Sequence, residues 1–167
     1  MKNKAVFLDR DGVVNFERGT YNCSIDDFII NPDIGNAIRL LKDNNFLVII
    51  ISNQAGIAKK LFTNEVVGAM HQKLVDYLAG YGTTVDEFYY CPHHESVTQC
   101  LCRKPKPLLI EKALARYCID AGASWFIGDS KRDSEAAEAA GVTAILIEPN
   151  SSLLQVCNNI IEKSIQQ

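Results

Sequence analysis

Phe46-Leu47-Val48-Ile49-Ile50-Ile51-Ser52-Asn53 is the stretch that decides the fold. Six apolar residues in a row offer no polar face, so a strand built from them must be buried on both sides. Burial on both sides belongs to a parallel sheet with helices over each face. On the N-terminal side, Ala5-Val6-Phe7-Leu8 reads as a first strand ending at Asp9. A loop of about two dozen residues follows, to Asn31-Pro32. Asn31 as N-cap and Pro32 at the first helical position predict a helix, with Ile34, Ala37, Ile38 and Leu41 on its apolar face.

On the C-terminal side, Thr63 can cap a helix carrying Val66, Val67, Met70, Leu74 and Leu78, stopped by Gly80 and Gly82. Val85 to Tyr90 reads as a third strand. A helix over Pro107 to Cys118, a short fourth strand over Trp125 to Ile127 and a helix over 131–140 come next. A fifth strand over Thr143 to Ile147 and a last helix over Ser151 to Lys163 complete the alternation. The expected class is α/β, a three-layer Rossmann-like parallel sheet in one domain, 1–167. No stretch is long enough for a separate cap domain.

Such folds carry their sites beyond the carboxyl ends of the strands. In chain order those ends are Asp9, Ser52, Cys91 and Asp129, polar or metal-binding residues where chemistry is expected. Asp9 and Asp11 are two apart, so at an extended strand end both point into one crevice. Paired carboxylates repel and call for a cation or a shared proton; Mg²⁺ takes oxygen ligands of this kind. An isolated Asp-x-Asp is more often a turn, and Ser52-Asn53 alone also reads as one.

Bulk properties narrow the function. The net charge of −3 gives no basic excess for nucleic acid. No apolar run approaches the roughly 20 residues of a membrane span. Met1 to Leu8 holds only four apolar residues between its lysines and Asp9, too few for a signal peptide core, so the expected compartment is the cytoplasm. Six cysteines in such a compartment argue against a disulfide framework. Cys91, Cys100 and Cys102 gather with His93 in twelve residues; Cys23, Cys118 and Cys157 stand apart. A Cys₃His set suits a closed tetrahedral zinc site, although Cys-x-His with Cys-x-Cys is not the common spacing and scattered thiols are the alternative.

Val6-Phe7-Leu8-Asp9-Arg10-Asp11-Gly12-Val13-Val14-Asn15 resembles the first motif of the haloacid dehalogenase superfamily of phosphatases. Ser52, Arg103-Lys104-Pro105 and Gly128-Asp129-Ser130-Lys131-Arg132-Asp133 resemble the other three motifs in order. The resemblance implies an aspartyl-phosphate intermediate on Asp9, with Asp11 as general acid and then base. It implies Ser52 and Lys104 on the phosphoryl group. It implies Mg²⁺ between Asp9, the backbone carbonyl of Asp11, and Asp129. Asp133 either orients the site or binds a metal water, or else serves the helix N-terminus.

Tyr90-Cys91-Pro92-His93-His94 with Cys100-Leu101-Cys102-Arg103-Lys104 resembles the zinc loop of the D-glycero-D-manno-heptose 1,7-bisphosphate phosphatase family. The implied structural Zn²⁺ ligands are Cys91, His93, Cys100 and Cys102. Asn53-Gln54-Ala55 and Glu17-Arg18-Gly19-Thr20 are similar to segments that contact substrate there. Arg10, Arg103, Ser130 and Lys131 join them as expected substrate contacts, with Arg103 and either Arg18 or Lys131 for a second phosphate. The implied reaction removes the 7-phosphate in nucleotide-heptose synthesis for lipopolysaccharide or surface glycans. The implied partner is a small phosphorylated metabolite, met by a monomer, with no nucleic acid or membrane. Three departures are Ser130 directly after Asp129, a short span from His93 to Cys100, and Val13 after Asp-Gly. Histidinol-phosphate phosphatase is the nearest rival; a macromolecular phosphoester and a non-enzymatic metal-binding domain are further readings.

Overall fold

The computed structural model describes residues 2–165; Met1 and residues 166–167, within the expected 1–167 domain, lie outside the described residues. The chain runs β1 (Lys4–Leu8), α1 (Ile34–Asp43), β2 (Phe46–Asn53), α2 (Asn64–Ala79), β3 (Glu87–Cys91), α3 (Leu108–Arg116), β4 (Trp125–Gly128), α4 (Lys131–Ala139), β5 (Thr143–Leu146) and α5 (Leu153–Ile165). All strand pairs are parallel, in the order β3-β2-β1-β4-β5.

Pleating divides the core between two faces. Val6 and Leu8 of β1 pack with α1, α2 and α5 through residues such as Ile38, Leu74 and Ile160. Ala5 and Phe7 face α3 and α4 through Ile110, Ala113 and Ala136. β2 contributes Val48 and Ile50 to one side, Ile49 and Ile51 to the other, so its unbroken apolar run is used in full.

Chain order reverses at β1, with β2 on one side and β4 on the other. That reversal opens a crevice above the sheet's carboxyl edge. Leu8 is paired with Ile127, and the Asp9 N–H donates to the Ile127 carbonyl at 2.9 Å, so the segments after β1 and β4 leave the sheet together. Among the described residues, no helix is long and apolar enough to cross a membrane.

Helix α1 begins two residues later than its sequence suggests. Asn31 does not cap it; its buried amide donates to the Val13 carbonyl at 2.8 Å and ties the long loop down. Asp33 holds the N-cap position, yet its carboxylate accepts from the Leu154 N–H at 3.1 Å and the Ser152 hydroxyl at 2.5 Å, serving the start of α5 instead. α5 itself starts at Leu153, not Ser151. β3 begins at Glu87 because Val85 turns into the core and the Asp86 N–H donates to the Val48 carbonyl at 2.8 Å before the ladder starts.

Candidate active site

Lys104 is the electrostatic centre of the crevice. It is only 2% exposed, and each of its three ammonium donors has a partner. Its Nζ lies 2.8 Å from Asp9 Oδ1 and 2.6 Å from Asp133 Oδ1, and donates to the Ile51 carbonyl at 2.9 Å. Asn53, the last residue of β2, holds the Lys104 backbone from both sides. Its Oδ1 accepts from the Lys104 N–H at 3.0 Å and its Nδ2 donates to the Lys104 carbonyl at 3.1 Å. The Lys104–Pro105 peptide bond is cis. Burial opposes the Lys104 charge, but Asp9 and Asp133 outweigh it and raise the ammonium above its usual range.

Asp133 comes from the first turn of α4. Its carboxylate accepts from the Ser130 N–H at 3.1 Å and hydroxyl at 2.8 Å, while the other oxygen meets Lys104. Thus Asp133 both caps its helix and orients the lysine; burial works against its charge, but Lys104 wins and holds it below the usual carboxylate range.

Asp9, Asp129 and Asp133 each offer an oxygen, and these oxygens lie within 4.8 Å of one another. One ammonium faces three carboxylates. Burial and then the competing charges, with Lys104 pulling down and Asp133 pushing up, leave Asp9 raised to about 7. Burial, then Asp133, raises Asp129 to about 6. That surplus of negative charge fits a divalent cation with oxygen ligands. Asp129 rests against Gly12, where an added Cβ would come 1.9 Å from its Oδ2; Gly12 also has φ of +88°. Gly128 makes similar room for Asp133, whose Cβ lies 2.3 Å from the position a side chain would take.

Asp11 lines the same cavity but its carboxylate is held by a different set of partners. Arg10 Nη2 lies 3.0 Å from its Oδ1, and the amides of Asn15, Asn22 and Gln54 donate at 3.0, 2.8 and 3.0 Å. Burial alone would raise it, but Arg10 and then these amides hold its carboxyl below the usual range. The Arg10 guanidinium is 1% exposed, with Met70 sulfur at 3.7 Å and the Phe28 ring at 5.4 Å, so it braces Asp11 from beneath. Ser52 is buried at the end of β2 with its hydroxyl 3.3 Å from Gln54 Nε2.

The crevice is a cavity of about 540 Å³. Asp9, Asp11, Lys104, Asp129 and Asp133 line it, together with Arg10, Glu17, Gly19, Thr20, Asn53, Gln54, Ala55 and Arg103 from the expected substrate contacts. Three of those contacts are not brought there. Arg18 is paired with Asp27 in the loop. Ser130 spends its hydroxyl on Asp133. Lys131 is 85% exposed and paired with Glu135 at 3.2 Å. Tyr21, Asn22 and Arg132 line the cavity without having been singled out from sequence. The Asn22 position has no local signal, since an irregular loop hides its direction. Arg132 had one: in a helix it lies about 100° from Asp133, whereas Lys131 lies about 200° away.

Cys91, His93, Cys100 and Cys102 converge beside this site. Cys91 Sγ is 3.1 Å from Cys102 Sγ and 3.6 Å from Cys100 Sγ, and His93 Nδ1 is 3.3 Å from Cys102 Sγ and 3.5 Å from Cys91 Sγ. Tetrahedral zinc with Zn–S of about 2.3 Å puts sulfurs about 3.8 Å apart, so the set fits such an ion with a slight expansion. Arg103 ties this loop to the site by donating to the His93 carbonyl at 3.3 Å.

A parallel sheet with aspartates beyond β1 and β4 gathered around a buried lysine defines a hydrolase core of the haloacid dehalogenase type. Comparison with known proteins agrees. Residues 101–154 match the Hydrolase_like family, described as HAD-hydrolase-like. The chain is 37% identical over 164 residues to D-glycero-beta-D-manno-heptose-1,7-bisphosphate 7-phosphatase of Haemophilus ducreyi, covering 92% of this chain and 87% of that protein. It is 34% identical over 165 residues to the D-glycero-D-manno-heptose-1,7-bisphosphate 7-phosphatase of Chlorobaculum tepidum, covering 92% and 83%. Among solved structures, D,D-heptose 1,7-bisphosphate phosphatase from B. bronchiseptica, complexed with magnesium and phosphate, superposes with a TM-score of 0.90 at 31% identity, over 96% of this chain and 99% of that one. The chain belongs to the heptose 1,7-bisphosphate 7-phosphatase family of the haloacid dehalogenase phosphatases.

Proposed function

We propose that this chain, acting as one domain over residues 1–167, hydrolyses the 7-phosphate of D-glycero-D-manno-heptose 1,7-bisphosphate and leaves the anomeric phosphate in place. The observation that carries the reading is the buried Lys104 held between Asp9 and Asp133, with Asp129 against Gly12 at the neighbouring strand end. Such a centre presents a carboxylate oxygen and a fixed cation to a phosphoryl group, and the family's members supply the sugar. The same reading places the chain in the cytoplasm as a monomer, in ADP- or GDP-heptose synthesis.

Asp9 attacks phosphorus, forming an acyl-phosphate bond as the bond to the sugar oxygen breaks. Asp11 gives its proton to the departing oxygen. It then takes a proton from the water that attacks phosphorus and releases Asp9. The donors around Asp11 favour its ionised form, the one needed for the second step. An incoming phosphate adds negative charge and raises the proton affinity of Asp11 for the first step, while the Lys104 ammonium beside Asp9 favours the anion that attacks. Lys104 holds its charge at a fixed place, so it stabilises charge developing on the phosphoryl oxygens without reorganising. Ser52, 1% exposed and outside the cavity lining, accepts from Gln54 Nε2 at 3.3 Å and so acts on the phosphoryl group by steadying the Gln54 amide.

Asp9, Asp129 and the Asp11 carbonyl would hold Mg²⁺, which neutralises phosphate charge and aligns it with Asp9 when bound. Cys91, His93, Cys100 and Cys102 would hold a structural Zn²⁺ that fixes the loop carrying Arg103 and Lys104.

The test is turnover on both anomers of the heptose bisphosphate, histidinol phosphate and a phosphopeptide. Preference for a heptose bisphosphate is expected. Preference for histidinol phosphate or the peptide would overturn the substrate assignment.

A further inference from the structure

Arg132 carries a charge that the phosphoryl-transfer chemistry does not use. It is exposed, in the first turn of α4, and among the described residues no ion-pair partner is found for it. A cation there faces the positive end of the helix dipole, a local cost that an anion would relieve. Arg132 lines the main cavity and also an adjoining cavity of about 380 Å³. Arg103 and Lys104 are common to both linings, and Lys106 stands in the second. With Lys104 committed to Asp9 and Asp133, the cations common to both linings that have no carboxylate partner among the described residues are Arg103, which donates to the His93 carbonyl, and Arg132.

Helix geometry explains why Arg132, not its neighbour, is there. Asp133 points into the protein, Lys131 points to solvent and pairs with Glu135, and Arg132 lies between these directions over the cavity. Ser130 has its hydroxyl bound to Asp133 and offers no charge.

We infer that Arg132 is a specificity-determining residue: it binds the phosphate that is not hydrolysed, opposite Arg103, and selects bisphosphates over monophosphates. This rests on the bisphosphate reading above. A guanidinium suits the role because its planar fork meets phosphate oxygens two at a time.

The experiment compares kcat/KM for heptose 1,7-bisphosphate with that for heptose 7-phosphate, in the wild-type holoenzyme and in Arg132→Ala and Arg132→Lys. The wild type should prefer the bisphosphate. Arg132→Ala should reduce that preference by about tenfold or more, the scale of one charge-assisted phosphate contact, and chiefly through KM. Arg132→Lys should restore part of it. An unchanged preference in Arg132→Ala, or an equal fall on both substrates, overturns this inference and leaves the proposed function standing. A wild type that turns over neither sugar overturns both.

Discussion

Replacing Asp133 with Ala removes the partner that fixes Lys104 while leaving Asp9 in place. The lost ion pair is 2.6 Å long, with Lys104 3% and Asp133 1% exposed at the side chain. Breaking a buried pair by deleting one member costs about 3–5 kcal/mol, because the remaining charge stays desolvated. Two Ser130 donors also lose their acceptor. Against this, Asp133 pushes up the proton affinity of Asp9 and Asp129, so its removal relieves repulsion. A net loss of about 3 kcal/mol follows, or roughly 6–12 °C in Tm for a chain of this size. Urea unfolding at fixed metal concentration measures it, with Glu135→Ala as control. That control breaks the exposed Lys131–Glu135 pair and should cost under about 0.5 kcal/mol. Turnover in Asp133→Ala should fall by about tenfold or more as Lys104 loses its fixed position. A stability loss no greater than that of Glu135→Ala would refute the claim that Asp133 secures a buried cation.

Gly12→Ala should abolish most activity and destabilise the chain by about 1–3 kcal/mol, since its methyl group meets Asp129 and its φ is positive; far-ultraviolet circular dichroism with phosphate release separates the two effects. Cys100→Ser should lower bound zinc from one per chain towards none and reduce Tm, as elemental analysis and calorimetry would read. His71 stacks on Phe88 at 4.1 Å, and burial, with Arg10, lowers its pKa to about 4. The unfolded chain then binds more protons than the folded one between about pH 4 and 6.5, so this contribution to stability is full above 6.5 and is lost as pH falls towards 4. His71→Phe should flatten the stability profile in that window relative to wild type, while Asp9 and Asp129, raised on folding, act in the opposite sense in both proteins.

Much of this arrangement is legible in the sequence because strands declare themselves through apolar runs and sites follow from strand ends. Phe46 to Ile51 announces a strand buried on both faces, and β2 is one. Asp9, Ser52, Cys91 and Asp129 mark carboxyl ends whatever the loops do. Loop direction is a different matter. Nothing near Asn22 shows that it reaches back to Asp11, eleven residues away, or that Asn150 clamps Glu17 across 133 residues. Caps mislead for a related reason: Asn31 looks like a helix start, but tertiary contacts with Val13 claim its side chain. The charges of α4 show the limit of motif reading. Position in a motif pointed to Lys131, whereas the turn of the helix brings Arg132 to the cavity.

The covalent step is tested most directly by borohydride trapping during turnover. Reduction of an acyl phosphate leaves a homoserine, which peptide mass spectrometry locates. The expected position is 9 alone. Full turnover with Asp9 unreduced, or a homoserine at Asp11 or Asp129, would contradict the account.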